Sequence, residues 1–221
     1  MTAPSTQVGS SIVWFGDSLT DNGNLYDASA GIVPDDLRAS LAGPTHAASN
    51  GPTYTVTADD LLGVNTSYDY AVAGAEAVGT QAIGDFITAE GHGSDIIVPP
   101  GDPSLAWDMN LSGQIARFET DLAGQDQSTM TAVILIGAND YGNIDLTNPP
   151  TLSDIHALVG QVTGAILASA QGLIDQGMGS VVVAGLPDPS FFPELHSLSP
   201  VESALAQSLF NQNATALQNG I

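Results

Sequence analysis

Three short apolar runs constrain this chain most: SIVWF at 11–15, TAVILIGAND at 131–140 and SVVVAGLP at 180–187. The middle run opens with seven residues that carry no charge and almost no polarity, as a strand covered on both faces requires. The last run ends at Pro187, which stops a strand. A weaker segment, YDYAVAG at 68–74, reads as a second strand or a strand-to-loop turn. Helical patterns stand between them. Residues 54–63 end at Gly63; Leu111, Ile115, Phe118 and Leu122 share one helix face within 111–124; 151–176 opens on the capping residues Thr151 and Ser153. A last helix over 200–218 turns Leu205, Leu209 and Leu217 inward, and 79–110, rich in Gly, Pro and Asp, reads as one long loop. Such alternation predicts an α/β fold, a parallel sheet with helices on both faces, in a single domain over 1–221 without repeat or linker.

In a parallel sheet of this kind, ligands meet the carboxyl ends of the strands. Gly16-Asp17-Ser18 follows the first strand, Gly74 the second, and Gly137, Asn139 and Asp140 the third. Each group also has a plain structural use. Ser18, with Asp21 three residues on, suits a turn or a helix cap; Gly74 suits a strand end; Asn139-Asp140 suits a turn. What favours a site is that three such groups fall, in order, on one predicted edge.

Composition removes several functions. The chain has 24 acidic residues, Arg38 and Arg117 as its only arginines, no lysine and a formal charge of −22. Phosphate-rich partners are repelled, so neither nucleic acid nor an anionic membrane surface is an expected partner. The acids are scattered, which predicts a self-repelling surface that salt screens and stabilises. Without cysteine there is no disulfide or thiolate chemistry. No run of about 18 apolar residues predicts a membrane span, and the first ten residues lack the features of a signal peptide. The absence of cysteine and lysine favours an extracellular, salt-exposed setting over the cytoplasm. The Asp-containing loop 91–104 lacks the spacing of a calcium loop, and no zinc-ligand spacing occurs. No cofactor or metal is expected. Asp17 and Asp21 would repel a nucleotide phosphate after the first strand.

FGDSLTDNGN (15–24), YAVAGAEA (70–77) and GANDYGN (137–143) resemble, in that order, the first three blocks of the GDSL, or SGNH, hydrolase family. SNGPTYTVTADDLLG (49–63) and GLPDPSFFP (185–193) resemble connecting segments of its longer esterase and lipase members. The resemblance runs from about residue 11 to 218. It implies a flavodoxin-like three-layer α/β/α sandwich, about four strands here and a fifth expected beyond residue 221. It implies hydrolysis of carboxylic esters through a seryl acyl-enzyme, with Ser18 as nucleophile. The oxyanion would be held by the backbone N–H groups of Ser18 and Gly74 and the side-chain amide of Asn139. Preset donors of this kind stabilise a tetrahedral intermediate by about 3–4 kcal/mol each.

The family pattern also implies an Asp-x-x-His pair near the C-terminus, because a serine needs a base at neutral pH. None is present. Gly43, Ala89, Ser153 and Pro193 stand three residues before His46, His92, His156 and His196. Three readings stay open: a base beyond residue 221 in a longer, C-terminally incomplete domain; His196 acting from an unusual position; or a pseudoenzyme or binding module of the same fold. The partner expected is a small-molecule or lipid ester. Phe86, Ile87, Ile96, Ile97 and Trp107 lend 79–110 an apolar character that favours a hydrophobic acyl chain, with acetylated polysaccharide as the alternative.

Overall fold

The first apolar run forms β1 (Ser11–Gly16), in which every residue from Ile12 to Gly16 is buried. It lies between β2 (Thr66–Asp69) and β3 (Met130–Leu135), and β4 (Ser180–Val183) follows on the far side of β3. All three pairings are parallel, in the order β2-β1-β3-β4. This is a computed structural model, and it describes residues 11–29, 46–47, 49, 51–87, 103–142, 144 and 150–220.

Strand pleating sends alternate residues to opposite faces. Val13 and Phe15 of β1 and Ala132 and Ile134 of β3 join one core cluster with Phe118, Val162 and Ile166. Phe118 meets the Phe15 ring edge-on, with centroids 5.7 Å apart. That face is covered by α4 (Leu111–Asp121) and α6 (Leu152–Asp175), and α7 (Pro200–Gly220) packs against α6. Ile12 and Trp14 point the other way. There Trp14 meets Tyr54 of α2 (Tyr54–Leu62) edge-on at 5.6 Å, so helices cover both faces and the architecture is a three-layer α/β/α sandwich.

Thr151 caps α6 through a reciprocal pair: its hydroxyl receives Asp154 N–H, and its own N–H donates to the Asp154 carboxylate. Ser153 lies inside the helix. One helix among the described residues, α6, is long and apolar enough to cross a membrane by length and composition alone. Here Ile155, Val159, Val162, Ile166 and Leu173 of that helix are buried in the sandwich.

Three expectations are corrected. The second strand is earlier than 68–74: it ends at Asp69, and Tyr70 to Gly74 leave the ladder, although Tyr70 and Val72 still donate to the carbonyls of Trp14 and Gly16. The stretch 79–110 is more ordered than one loop. It carries α3 (Ile83–Ile87), a 3-10 turn at Pro103–Ala106 and an antiparallel bridge between Ala82 and Asp108; residues 88–102 lie outside the described residues. The third run yields only four strand residues, and they are not fully buried: Val182 is 48% exposed. Two short helices, α1 (Asn24–Ser29) and α5 (Ala138–Gly142), follow the carboxyl ends of β1 and β3.

Candidate active site

The strand order places a topological switch between β1 and β3. The chain leaves β1 toward β2 on one side, and β3 adds on the other. A crevice opens outside the carboxyl ends at such a point. Gly16 pairs with Leu135 in the ladder, so Ser18 and Gly137 each stand two residues beyond the same register position. Asn139 and Asp140 follow on α5.

The turn carrying Ser18 is built by aspartates. The carbonyl of Asp17 accepts Thr20 and Asp21 N–H, and its carboxylate accepts Leu19 N–H. The Asp21 carboxylate receives four N–H groups, from Gly23, Asn24, Leu25 and, across 52 residues, Ala73. That last bond, 2.8 Å long, ties the serine turn to the residue before Gly74. Asn24 reinforces the tie by donating its amide to the carbonyls of Asp69 and Ala71.

Gly74 adopts φ +87°, a left-handed conformation that favours glycine, and a Cβ there would lie 2.3 Å from the Phe86 ring. The segment around it is held on both sides. Asn139 Nδ2 donates to Ala75 O at 2.8 Å, and the Asp140 carboxylate accepts Ala77 and Val78 N–H at 2.8 and 3.2 Å. Asn110 on the opposite side accepts Glu76 N–H and donates to Val78 O. From Tyr70 to Val78, every amide N–H except that of Gly74 donates a hydrogen bond. In the serine turn, every N–H from Leu19 to Leu25 is likewise bonded. The N–H of Ser18, like that of Gly74, has no partner among the described residues. The structure thus brings Gly74 and the Asn139 amide together through Ala75, and links the Ser18 turn to them through Asp21 and Ala73.

The crevice is strongly acidic below its surface. Burial pushes the Asp17 carboxyl up to about 7, against the Leu19 N–H and helped by the charge of Asp140. One Asp17 oxygen is buried without a hydrogen-bond partner. Burial likewise takes Asp140 to about 6, and Asp69, beside Asp21, to about 7. Burial raises Asp21 too, while its four backbone donors pull the other way. Among the described residues, no cluster of three or more His, Asp or Glu side chains is arranged to hold a metal ion.

Gln114 escaped the sequence reading. Its amide spans both polar groups of Gly16, accepting the N–H at 2.9 Å and donating to the carbonyl at 2.8 Å, and it also donates to Met109 O. It therefore fixes the backbone two residues before Ser18. The signal was legible: Gln114 sits on the helix face of Leu111 and Phe118, where a polar residue must find partners.

His196 lies on the 3-10 turn Pro193–Ser197, exposed, with Nε2 2.9 Å from the Ser190 carbonyl oxygen. It faces a cleft of about 190 Å³ that it shares with Leu195, Ser203 and Gln207. His46 stacks on Tyr26 at 3.8 Å, and His156 lines a groove of about 720 Å³ between α6 and α7. None of these three has a hydrogen bond or ring contact with Ser18, Gly74 or Asn139; His92 lies outside the described residues.

Comparison with known proteins matches residues 12–220 to the family described as GDSL-like Lipase/Acylhydrolase. Among solved structures, a GDSL-like lipase from Parabacteroides merdae is similar at 16% identity and a TM-score of 0.42, covering 96% of this chain and 73% of its own. The psychrotrophic esterase EstA from Pseudoalteromonas sp., in a structure inhibited by monoethylphosphonate, is similar at 13% identity and a TM-score of 0.38, covering 95% and 74%. No curated protein matches the chain. With the family match spanning nearly its whole length, the chain belongs to the GDSL-like lipase/acylhydrolase family.

Proposed function

We propose that the crevice between β1 and β3 is a serine esterase site, with Ser18 as nucleophile and an oxyanion hole formed by Ser18 N–H, Gly74 N–H and the Asn139 amide. The observation that carries this reading is that Gly74 N–H has no partner among the described residues, in a segment whose other amides are all bonded, one residue from the carbonyl that holds Asn139 Nδ2. A donor left free beside an oriented amide is what a developing oxyanion needs. Ser18 Oγ would attack the acyl carbon and give its proton to a base. The carbonyl oxygen would take the negative charge into the three donors. The alcohol would leave with the proton, and water would then release the acid from Ser18.

The proton acceptor is the part these residues supply least. His196 donates Nε2–H to the Ser190 carbonyl oxygen rather than facing the crevice, and no Asp-x-x-His occurs in the sequence. The base is therefore proposed to be an Asp–His pair outside these 221 residues, with His196 as the alternative. The substrate proposed is a carboxylic ester with a hydrophobic acyl chain. Of the apolar residues that suggested this, Phe86 packs against Gly74, Ile87 is buried in the core, and Trp107 is stacked by Arg117 at 3.6 Å. Ile96 and Ile97 lie outside the described residues. Phe86 is the residue that keeps the acyl-chain reading.

The test is hydrolysis of p-nitrophenyl acetate and butyrate in molar NaCl by the chain and by Ser18→Ala. Turnover that falls by three or more orders of magnitude in Ser18→Ala supports the reading and places the base within these residues. Turnover equal in both proteins sinks it. A folded chain that is inactive on both esters means that these residues lack the base, which rules out His196 in that role.

A further inference from the structure

Asp140 is adjacent in sequence to Asn139 but does different work. Asn139 takes one carbonyl of the segment after Gly74, that of Ala75. Asp140 takes two N–H groups of the same segment, Ala77 to Oδ2 and Val78 to Oδ1. The side chain is buried, so water does not replace these bonds. Consecutive residues of α5 therefore grip both a carbonyl and two amides of one five-residue turn. The other side of that turn is fixed by Asn110 and by Leu111 N–H on Glu76 O. Of the amides in this turn, only that of Gly74, at its start, has no partner among the described residues.

We infer that Asp140 is a positioning residue: by holding Ala77 and Val78, its carboxylate sets the direction of the Gly74 N–H relative to the Asn139 amide. The inference rests on the esterase reading above. Two parallel acceptors are required for two adjacent amides. Asparagine offers one acceptor and sets an N–H₂ group against the second N–H. Glutamate keeps both acceptors at a longer reach. A donor displaced by a fraction of an ångström weakens the stabilisation of a developing charge more than it weakens substrate binding.

The experiment compares wild type, D140N, D140E and S18A. Each is treated with an alkyl fluorophosphonate, which Ser18 attacks at phosphorus with loss of fluoride and a proton. Intact mass against time and concentration gives the maximal labelling rate and the half-saturating concentration. Amide hydrogen exchange of 74–78 is read in the same samples. The expected result is labelling that S18A abolishes. In D140N the Ala77 and Val78 amides should exchange at least tenfold faster. Its maximal rate should drop by roughly ten- to a hundredfold, with half-saturation within twofold of wild type. D140E should fall between the two. Unchanged exchange, or faster exchange with a wild-type rate, overturns the positioning role while leaving Ser18 as nucleophile. Wild-type labelling that survives S18A, or no labelling even with imidazole added as an external base in place of the one proposed to lie outside these residues, overturns the esterase reading and this inference with it. Should D140N not fold, D140E decides: a severalfold lower rate at unchanged half-saturation supports the inference, and a wild-type rate overturns it.

Discussion

At the carboxyl ends of β1 and β3, nearly every backbone polar group is claimed, and Asp17, Asp21 and Asp140 are buried to claim them. One strand further on, β4 is open. The register runs Trp14, Val133, Val182 across one face of the sheet. Burial fades along it, from 2% exposure at Trp14 to 48% at Val182. The opposite face of β4, through Val181 and Val183, packs toward α6. The contrast teaches where this sequence spends its polar residues. The closed end trades desolvation of carboxylates for a backbone held at defined positions, as the site proposed above requires. The open end is ordinary apolar strand whose cover on one side does not come from the described residues.

The comparison breaks most sharply at Gln114. Gln114→Leu removes three buried hydrogen bonds and leaves Gly16 N–H and Met109 O without them. It should cost about 4 kcal/mol in urea unfolding, against the 1–3 kcal/mol typical of each orphaned buried group. A cost below about 1 kcal/mol would show that the Gly16 region is not held as tightly as its bonding suggests.

The next test is pH. Asp17, Asp69 and Asp140 have folded values of about 7, 7 and 6, above the ordinary carboxylate range. The folded chain therefore binds more protons than the unfolded chain between these limits. Stability is greatest near the unfolded value and is lost as pH rises through 6 to 7. Between pH 5.5 and pH 8 the unfolding free energy should fall by about 2 kcal/mol for each of Asp17 and Asp69 and by less than about 1 kcal/mol for Asp140. Asp17→Asn should flatten that slope. A slope of opposite sign would mean that these acids are already ionised in the folded protein.

The smallest effect is expected at the open end. Val182→Thr should change stability by less than about 0.5 kcal/mol, as an exposed substitution does. A loss above about 1.5 kcal/mol would mean that this face is covered in solution, and the contrast between the two ends would narrow.

How far each end was legible follows from the kind of signal it carries. β1 and β3 were readable because residues buried on two faces leave continuous apolar runs, and the helix of 111–121 because its apolar residues repeat at three and four. Ser18, Gly74 and Asn139 were readable as residue types at predicted strand ends. Asp140 was visible as a neighbour of Asn139 but without a role, since nothing local tells a carboxylate that it faces Ala77 and Val78 across 62 or more residues. As a strand, 68–74 was read too far along because Tyr70 to Ala73 are as buried as a strand, and Tyr70 and Val72 still donate to β1, while the ladder itself stops at Asp69.

The sequence by itself determined the alternation of strands and helices, the family blocks and the absence of an Asp-x-x-His pair, because each is a matter of period or of residue type. Tertiary structure alone decided which amides stay free. That Gly74 N–H has no partner among the described residues while its neighbours are claimed depends on Asp21, Asn110 and the Asn139–Asp140 pair arriving from three separate parts of the chain, and such convergence is a property of the packed fold.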